Sequence, residues 1–485
     1  MTAYNAPRQD APRQDAPRRA EPKTKIVCTI GPATASEERL RELLKAGVDV
    51  IRLNFSHGTQ ADHQLVIERV RWLATQLKLP IAILQDLAGP KVRIGTFTTD
   101  SITLQPGAPF TLTTRAIVGT AEVVSVSYPQ LPQEVKPGDP LLLADGAVTL
   151  VVEHVTAEDI TCRVTAGGTL SAHKGVNCPS GLLSLPILSE KDLHDVQFGI
   201  EHEVDYIGLS FVRTAEDVRI AKAEIANRGA AIPVIAKIET QAALAHIDEI
   251  LEAADGIMVA RGDLGIETPL PRIPLVQKQL IAKANRLAKP VITATQMLWS
   301  MVDNPRPSRA EATDVANAII DGTDALMLSE ETTIGRYPVE AVRMMTAIAI
   351  ETEHADLRVD SRNGDQRALR LTEAEAVAHA ACEIAAAMDM EAIVTVTLEG
   401  TTARLVAKYR PAQPILAVTS RLDTYRRLAL VRGVTPVLLP AEIATRGAMI
   451  EKTKAVMRDY NLRGKKIVIM SSISAEQNLL ATEVL

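Results

Sequence analysis

Aromatic residues are scarce in this chain, at 3% of its 485 residues, so small and branched aliphatic side chains must fill the core. The four cysteines (Cys28, Cys162, Cys178 and Cys382) are scattered, with neither a CxxC pair nor the spacing of a zinc site. This usage predicts reduced, buried thiols. No apolar run approaches the roughly 20 residues that span a bilayer, and no apolar secretory segment opens the chain. We therefore expect a soluble cytoplasmic protein.

The charge balance excludes a further class of proteins. With 53 basic and 59 acidic residues the net charge is −6, whereas general nucleic-acid binding usually needs a basic face. The length is enough for roughly three domains with a large core. We expect neither nucleic acid nor a membrane as a partner.

Short apolar runs alternate with amphipathic helical patterns, such as those at 60–78, 241–253 and 308–321, through much of the chain. Their near-continuous apolar character is typical of parallel strands that are buried on both faces. Eight such units predict a closed (β/α)8 TIM barrel. An open doubly wound sheet is the alternative, but no GxGxxG follows the first strand. The predicted strands are 25–30, 48–54, 81–86, 205–211, 233–238, 256–260, 290–295 and 324–329.

Two other regions have their own patterns. Residues 91–188 carry Thr/Val alternation with Pro-Gly and Asp-Gly turns, which predict a small all-β domain inserted as a lid at the barrel mouth. The last part of the chain returns to an α/β pattern and predicts a separate domain with a mostly parallel sheet. We assign 1–22 to a disordered tail, 23–90 and 189–355 to the barrel, 91–188 to the inserted domain, and 356–485 to the C-terminal domain.

The run 234–239 (VIAKIE) is the most informative stretch of the chain. Alternate residues of a strand point the same way, so Lys237 and Glu239 should emerge side by side at its end. The next predicted strand runs into Gly262 and Asp263, where a short helix would offer free N–H groups to an anion. Glu239 and Asp263 supply hard oxygen ligands suited to Mg²⁺ or Mn²⁺. For either strand alone, a structural ion pair at the sheet rim is the alternative.

Further polar residues follow the other strands, at the end of the barrel where active sites lie. They are Arg52, Asn54, Ser56, His57, Asp86, Lys91, Arg93, Thr295 and Ser329. The basic members suit phosphate, which arginine can grip bidentately. The set predicts a phosphorylated carboxylate bound with a divalent metal, for phosphoryl transfer or metal-stabilised enolate formation. The structural alternatives are an Arg52–Asp86 pair, a helix cap at Thr295 and a hydrogen-bonded rim histidine at His57.

These residues lie in motifs that resemble the pyruvate kinase family. The resemblance covers about residues 23–485, in the family's domain order. The matching segments are 24–32 (TKIVCTIGP), 52–58 (RLNFSHG), 233–239 (PVIAKIE), 258–265 (MVARGDLG), 294–298 (ATQML), 305–311 (PRPSRAE) and 326–332 (LMLSEET). The resemblance implies transfer of the phosphoryl group of phosphoenolpyruvate to ADP, giving pyruvate and ATP at the last step of glycolysis. It also implies a homotetramer.

The resemblance assigns roles by position. Lys237 is similar to the lysine that neutralises the phosphoryl group in flight and then the enolate oxygen, and Arg52 to the arginine that contacts phosphate. Glu239 and Asp263 resemble the protein ligands of the metal.

The remaining roles concern the substrate carboxylate, the enolate and the nucleotide. The N–H groups of Gly262 and Asp263, with Thr295, resemble the grip on the substrate carboxylate. Thr295 and Ser329 resemble the groups that organise the water chain protonating the enolate. Positions near the nucleotide correspond to Asn54, His57, Arg93 and Lys174.

The chain departs from the family pattern at the monovalent-cation region. Many relatives hold K⁺ with groups equivalent to Asn54, Ser56, Asp86 and the residue at position 87, which is Leu87 here. Those relatives usually carry a glutamate where this chain has Lys91. We hypothesise that the tethered ammonium replaces the ion, so that K⁺ is not required. A solvated rim charge at Lys91 is the alternative.

The C-terminal domain of the family often binds a sugar phosphate. The corresponding loop here offers Thr397, Thr401, Thr402 and Arg404 to a phosphate, but Glu399 would repel one. The segment 471–478 (SSISAEQN) lacks the glycine-rich loop of many relatives. Fructose-bisphosphate activation is therefore not expected; a monophosphate sugar or nucleotide effector, or no effector, is the prediction.

Two other functions compete with this interpretation. One is another metal-dependent barrel enzyme acting on phosphoenolpyruvate or pyruvate enolates, such as a mutase or aldolase, which would not need the two additional domains. The other is a non-catalytic metabolite sensor, which should have lost at least one of Lys237, Glu239, Asp263 and Thr295.

Overall fold

The computed structural model describes residues 22–179, 184–355, 371–440, 446–457, 464–474 and 477–484. Apart from Pro22, the predicted N-terminal tail lies outside these residues. Within them, parallel strands close into a barrel with the spatial order β1-β16-β15-β14-β13-β12-β3-β2. Numbered along the chain, its strands are β1 (Lys25–Thr29), β2 (Val50–Asn54), β3 (Ala82–Asp86), β12 (Tyr206–Leu209), β13 (Val234–Ile238), β14 (Gly256–Ala260), β15 (Val291–Ala294) and β16 (Ala325–Leu328). The predicted closed barrel is confirmed.

Helices surround the barrel, and local capping fixes where several of them begin. For example, the Thr59 hydroxyl accepts the Asp62 amide, and the Asp62 carboxylate accepts the Thr59 amide. The predicted helix at 241–253 is divided in two at His246. The helices of this part are α1 (Glu37–Ala46), α2 (Gln60–Leu77), α4 (Glu190–Glu201), α5 (Ala215–Asn227), α6 (Gln241–Ala245), α7 (Ile247–Ala253), α8 (Arg261–Glu267), α9 (Ile273–Arg286), α10 (Arg309–Asp321), α11 (Glu330–Thr333) and α12 (Pro338–His354).

The lower end of the barrel, where its strands begin, carries a repeated hydrogen-bonding device. An aspartate lies directly before each of four barrel strands, β2, β12, β14 and β16. Each aspartate accepts the backbone amide of a residue near the start of the preceding barrel strand, and each also pairs with a basic side chain. The amide bonds are Ile26 to Asp49 (2.9 Å), Ile83 to Asp205 (2.7 Å), Val234 to Asp255 (2.8 Å) and Val291 to Asp324 (3.0 Å). The basic partners are Lys25, Arg71, Lys222 and Arg410. This device fixes the register of each strand pair at its first residues.

The C-terminal domain covers this lower end. A short turn, Leu428–Leu430, packs Ala429 and Leu430 against the apolar residues inside the barrel. The Tyr206 hydroxyl, at the start of β12, donates to the Arg427 carbonyl over 2.8 Å. With the lower end covered, substrates must approach the barrel from the upper end.

Across its described residues, 91–179 and 184–188, the inserted part is all-β apart from one short helix, α3 (Leu131–Glu134). Its strands form a six-stranded sheet, in the order β11-β7-β8-β9-β5-β6, and a two-stranded sheet of β10 and β4. They are β4 (Ser101–Leu104), β5 (Pro109–Thr113), β6 (Val123–Ser125), β7 (Pro140–Leu143), β8 (Val148–Val155), β9 (Asp159–Ala166), β10 (Gly168–Ser171) and β11 (Val176–Asn177). The predicted all-β character is confirmed.

The C-terminal domain is a sheet of order β19-β18-β17-β20-β21, parallel except for β21. The antiparallel β21 was not predicted from the sequence; it forms a hairpin with β20. The elements are α13 (Glu373–Ala387), β17 (Ala392–Val396), α14 (Thr401–Lys408), β18 (Ile415–Thr419), α15 (Leu422–Arg427), β19 (Val434–Leu438), α16 (Arg446–Met457), β20 (Lys466–Ser474) and β21 (Gln477–Val484). The predicted mostly parallel α/β domain is confirmed, while the exact domain limits stay predictions.

Candidate active site

A buried ion cluster lies at the upper end of the barrel, with Lys237 at its centre. The Lys237 Nζ lies 2.8 Å from Glu239 Oε1 and 3.1 Å from Asp86 Oδ1, and it donates to the Ser210 hydroxyl over 2.8 Å. Arg52 Nε donates to the other oxygen of Asp86 over 2.6 Å. Lys237 and Glu239 thus lie side by side, as predicted, in one cluster with residues from the ends of three other strands.

Opposing charges hold this cluster ionised. Burial would raise the pKa of the Asp86 carboxyl, but Lys237 and Arg52 outweigh it and lower that pKa below its ordinary value. Burial would lower the pKa of the Lys237 ammonium, yet the carboxylates of Asp86 and Glu239 raise it. The lysine is thus a fixed positive charge at neutral pH, which is what stabilisation of a transferring phosphoryl group requires.

Glu239 and Asp263 fit the binding of a divalent cation. Burial raises the pKa of the Glu239 carboxyl and the nearby Asp263 carboxylate raises it further, and Lys237 offsets only part of this rise. Glu239 is held in place because its second oxygen accepts the Phe211 amide over 2.7 Å. Within the described residues no group of three or more His, Cys, Asp or Glu side chains is arranged around one metal position. A cation at this pair would therefore take further ligands from substrate and water, as Mg²⁺ commonly does.

The turn after β15 lies against the start of α8. The Gly262 amide donates to the Thr295 hydroxyl over 2.7 Å, and that hydroxyl donates to its own neighbour, the Ala294 carbonyl, over 2.6 Å. Thr295 adopts a φ of 69°, a left-handed conformation that is unusual for a β-branched residue. As predicted, Gly262 and Asp263 lie in the first turn of a short helix, next to Thr295.

Ser329 and the residues predicted to face the nucleotide lie at the edges of this cluster. Ser329 directly follows β16, and its amide donates to Glu331 over 2.7 Å. Asn54 ends β2, and its side-chain oxygen accepts the Ser56 amide over 3.1 Å, while His57 is exposed just beyond it. These positions leave the side chains of His57 and Ser329 available at the barrel mouth.

Arg93 and Lys174 are brought together at the base of the inserted domain. Arg93 pairs with Gly175 in an isolated antiparallel bridge, and its guanidinium donates to the His173 carbonyl over 3.0 Å. Both basic side chains are exposed. They therefore form a positive edge on the lid side of the cleft.

The predicted monovalent-cation region is internally hydrogen-bonded. The Leu87 carbonyl accepts the Ser210 hydroxyl over 2.6 Å, and the oxygens of Asp86 are taken by Arg52 and Lys237. Ser56 is exposed beside Asn54. Asp86, Leu87 and Asn54, three of the four groups expected to hold K⁺ in relatives, thus have partners from the chain itself.

Lys91 contributes to the cleft from the lid side. Its Nζ lies 3.5 Å from Asp145 of the inserted domain and 5.9 Å from the centre of the Phe211 ring. It also lines a cavity of about 320 Å³ between the inserted domain and the barrel, together with Phe211, Arg213 and Thr240. In the described residues the ion-pair partner of Lys91 is Asp145 rather than a member of the expected cation region.

The predicted effector residues gather at the start of α14. The Thr397 hydroxyl accepts the Gly400 amide over 2.9 Å, and Arg404 donates to the Thr401 hydroxyl over 3.2 Å. Thr402 is buried, whereas Thr401 and Glu399 are exposed. The side chains of 472–479, which include most of the segment predicted to lack a closing loop, lie outside the described residues.

Sequence reasoning missed Ser210, and it placed Arg261 at a strand end without giving it a role in the site. Ser210, at the end of β12, binds Lys237, and Arg261 binds the turn that carries Thr295. Ser210 lies near the end of the predicted strand 205–211 and directly after the observed β12, so its place at a strand end could have identified it. Arg261 adjoins Gly262 and Asp263, but no sequence signal shows where its side chain points.

This arrangement defines a class of reaction. Fixed cations, a carboxylate pair suited to a divalent ion and the start of a short helix converge on one end of a barrel. Such a site stabilises negative charge that develops on a phosphoryl group or an enolate.

Comparison with known proteins gives the same class and a family. Residues 21–342 match the family described as pyruvate kinase, barrel domain, and residues 375–481 match pyruvate kinase, alpha/beta domain. The chain is 47% identical to pyruvate kinase 2 of Synechocystis over 474 residues, covering 95% of this chain and 79% of that protein. It is 42% identical to the pyruvate kinase of Thermotoga maritima, covering 93% and 96% of the two chains. A crystal structure of a pyruvate kinase from Cryptosporidium parvum superposes with a TM-score of 0.89 at 36% identity, covering 96% of each chain.

The fold and these matches define a phosphotransferase. The chain belongs to the pyruvate kinase family, as the motifs at its strand ends indicate. In the described residues, no helix has the length and apolar character needed to cross a membrane.

Proposed function

We propose that this chain transfers the phosphoryl group of phosphoenolpyruvate to ADP in a reaction that depends on Mg²⁺ or Mn²⁺ and does not depend on K⁺. The observation that carries the proposal is the Lys237 ammonium, held 2.8 Å from Glu239 and 3.1 Å from Asp86 at the barrel mouth. An ammonium fixed beside the carboxylates of a metal site can meet an oxyanion without rearrangement.

The fixed charges act on the transferring group. Lys237 balances the negative charge of the phosphoryl group in flight and afterwards that of the enolate oxygen. Arg52 contacts the phosphate, and its bonds to Asp86 and the Thr29 hydroxyl fix the position of the guanidinium. Asn54, His57, Arg93 and Lys174 bind the nucleotide from the outer side of the same cleft.

The turn beside α8 acts on the other end of the substrate. The amides of Gly262 and Asp263, with the Thr295 side chain, hold the carboxylate. Thr295 and Ser329 organise the water that protonates the enolate to give pyruvate. This division separates the phosphoryl end from the carboxylate end, so substitutions on the two sides should have different kinetic effects.

Glu239 and Asp263 hold the divalent ion. When bound, the ion supplies charge stabilisation and a template for substrate oxygens. The charge count supports this role: Arg52 and Lys237 face the carboxylates of Asp86, Glu239 and Asp263, so two cations meet three anions when all are ionised.

A coupled assay of ADP-dependent pyruvate release tests the reaction. Turnover should require phosphoenolpyruvate, ADP and Mg²⁺ or Mn²⁺ together. A mutase or aldolase would consume its substrate without ADP, and a sensor would bind ligand without turnover, so either result would contradict the proposal. Titration with each metal in the absence of substrate separates metal binding from catalysis.

The K⁺ independence has its own support and its own test. Three of the groups that would hold K⁺, the side-chain oxygens of Asn54 and Asp86 and the Leu87 carbonyl, already have partners within the chain, and Lys91 brings a tethered cation to the cleft. Activity should change less than twofold when K⁺ is replaced by a bulky organic cation at constant ionic strength. The substitution Lys91→Glu removes the tethered positive charge and places a carboxylate near Asp145. K⁺ should therefore activate that variant by about tenfold or more. Strong K⁺ activation of the parent would refute the proposal.

We also propose homotetramer assembly and a phosphorylated effector at Thr397, Thr401, Thr402 and Arg404. The exposed apolar side chains of Leu270, in the short turn before α9, and Leu275, in the first turn of α9, are 71% and 61% exposed and support burial of this surface in an assembly. Sedimentation gives the assembly state. Kinetics with a panel of sugar monophosphates and nucleotides, repeated on Arg404→Gln, tests the effector.

A further inference from the structure

We propose that Arg261 is a positioning residue for the reaction: its guanidinium holds the strained turn after β15 against the start of α8. It thereby sets the distance between Thr295 and the Gly262–Asp263 amides. The inference rests on the proposed function, in which those groups grip the substrate carboxylate. Arg261 itself acts through the turn and not on substrate.

The contacts of Arg261 converge on the turn from one side. Its Nε donates to the Ala294 carbonyl over 3.2 Å, and its Nη2 donates to the Thr295 carbonyl over 2.8 Å and contacts the Met297 sulfur. The guanidinium thus contacts three of the four residues 294–297. Because Arg261 is also the first residue of α8, one side chain joins the two segments that must face the same carboxylate.

The turn needs such support because its backbone is strained. Thr295 has a φ of 69° and Gln296 a φ of 53°, and neither residue is a glycine. Positive φ in a β-branched residue persists where the surroundings determine it, and such positions cluster at functional sites. The Gly262 amide donates to the Thr295 hydroxyl over 2.7 Å, and this bond couples the orientation of the turn to the start of α8.

Helices α9 and α10 orient the guanidinium from behind. Arg261 Nη1 donates to Asp314 of α10 over 2.8 Å and to Gln277 of α9 over 3.2 Å. The Arg261 side chain is 13% exposed, whereas Asp314 is 37% exposed. Every one of these contacts uses the planar fork of donors, which a lysine ammonium cannot reproduce.

The test compares Arg261→Lys with the parent in full-chain enzyme. Misplacing the carboxylate grip by a fraction of an ångström to an ångström should lower kcat/KM for phosphoenolpyruvate by about 100-fold. The KM for ADP should stay within twofold, because the nucleotide residues lie on the other side of the cleft. Exchange of the pyruvate methyl protons with solvent, which depends on Thr295 and Ser329 and not on ADP, should fall with kcat. Asp314→Asn should lower kcat/KM for phosphoenolpyruvate by about tenfold, because it removes only the outer partner of Arg261.

Arg410→Lys is the matched control. Arg410 is likewise a mostly buried arginine that joins two segments through a carboxylate and a carbonyl, Asp324 and Gly322, but it lies at the lower end of the barrel. It should lower the melting temperature and leave both KM values within twofold. If Arg261→Lys behaves like Arg410→Lys, or keeps kcat/KM for phosphoenolpyruvate within threefold of the parent, the positioning role is wrong. An inactive parent would instead contradict the proposed function, so the two failures are distinguishable.

Discussion

The two ends of the barrel both bury ion pairs, yet the pKa values of Asp86 at the upper end and Asp205 at the lower end are shifted in opposite directions. At the upper end, burial would raise the pKa of Asp86, but Lys237 and Arg52 together lower it. At the lower end, burial raises the pKa of Asp205, and its single partner Arg71 reduces this rise without reversing it. The same residue type thus has its charge reinforced at one end and weakened at the other.

The difference lies in what completes each carboxylate. Each lower aspartate accepts a backbone amide at the start of a strand with one of its oxygens. Each of these ion pairs therefore has all its partners within the chain. At the upper end Lys237 is shared between Asp86 and Glu239, and Glu239 faces a further carboxylate in Asp263. The lower end is therefore a structural joint, whereas the upper end is left for a cation and an oxyanion to complete.

Lys237→Met should break the upper cluster with the largest effect on activity. The change removes the central charge at similar side-chain length, so kcat should fall by about 1,000-fold or more. The coupled pyruvate assay measures it, with circular dichroism to check that the fold remains. Lys222→Met is the control at the lower end, where Lys222 pairs with Asp255 over 2.9 Å. Its activity should match the parent, and a comparable loss in both variants would contradict the assignment of the two ends.

Asp324→Ala should break the lower joint with a large effect on stability and little effect on activity. It removes the acceptor of the Val291 amide and leaves the Arg410 guanidinium, whose side chain is 16% exposed, without its carboxylate. Breaking one partner of a buried pair costs about 3–5 kcal/mol. Denaturant unfolding should show this loss, while kcat and KM measured well below the unfolding transition should stay within twofold. A loss of activity at full folding would mean that the lower end is not only structural.

Glu239 should make cation binding at the upper end depend on pH. The pKa of its carboxyl is raised above the ordinary 4.5, first by burial and further by Asp263. A divalent ion binds the ionised form, so protons compete, and affinity should fall as pH drops through this raised pKa, above the range of an exposed glutamate. Lys237 stays protonated throughout, because its own pKa is raised.

Mn²⁺ titration of the substrate-free enzyme at several pH values measures this dependence without using activity. Glu239→Gln should weaken binding by about tenfold or more and flatten the pH dependence. A slope that persists in this variant would assign the proton to another group.

Much of the fold could be predicted because its signals are local. The strand at 234–238 was predicted within one residue, since an apolar run buried on both faces has few other interpretations. The antiparallel β21 was missed because its sequence, with Glu483 and Asn478 among apolar residues, gives no clear alternation. The break at His246 was missed for a similar reason: one amphipathic pattern continues across two helices.

The site could be predicted as a set of strand-end residues but not as a set of contacts. Position along a strand shows that Lys237 and Glu239 share a face, whereas the Lys91–Asp145 pair joins the barrel to an inserted sheet that is distant in sequence. The lower device carried a signal that was overlooked, an aspartate directly before four of the eight barrel strands. Its meaning depends on which strands are neighbours, and that is a property of the closed barrel.

Asp255→Ala should sharpen the comparison with the smallest effect. Like Asp324, Asp255 accepts a backbone amide and pairs with a basic side chain, but its partner Lys222 is 36% exposed and can turn to water. The cost should then be close to that of one unsatisfied amide, about 1–2 kcal/mol, because an exposed ion pair adds little. Denaturant unfolding of the two alanine variants side by side measures the difference. If Asp255→Ala costs as much as Asp324→Ala, the buried arginine is not what makes the lower joint strong, and the amide bonds alone determine its stability.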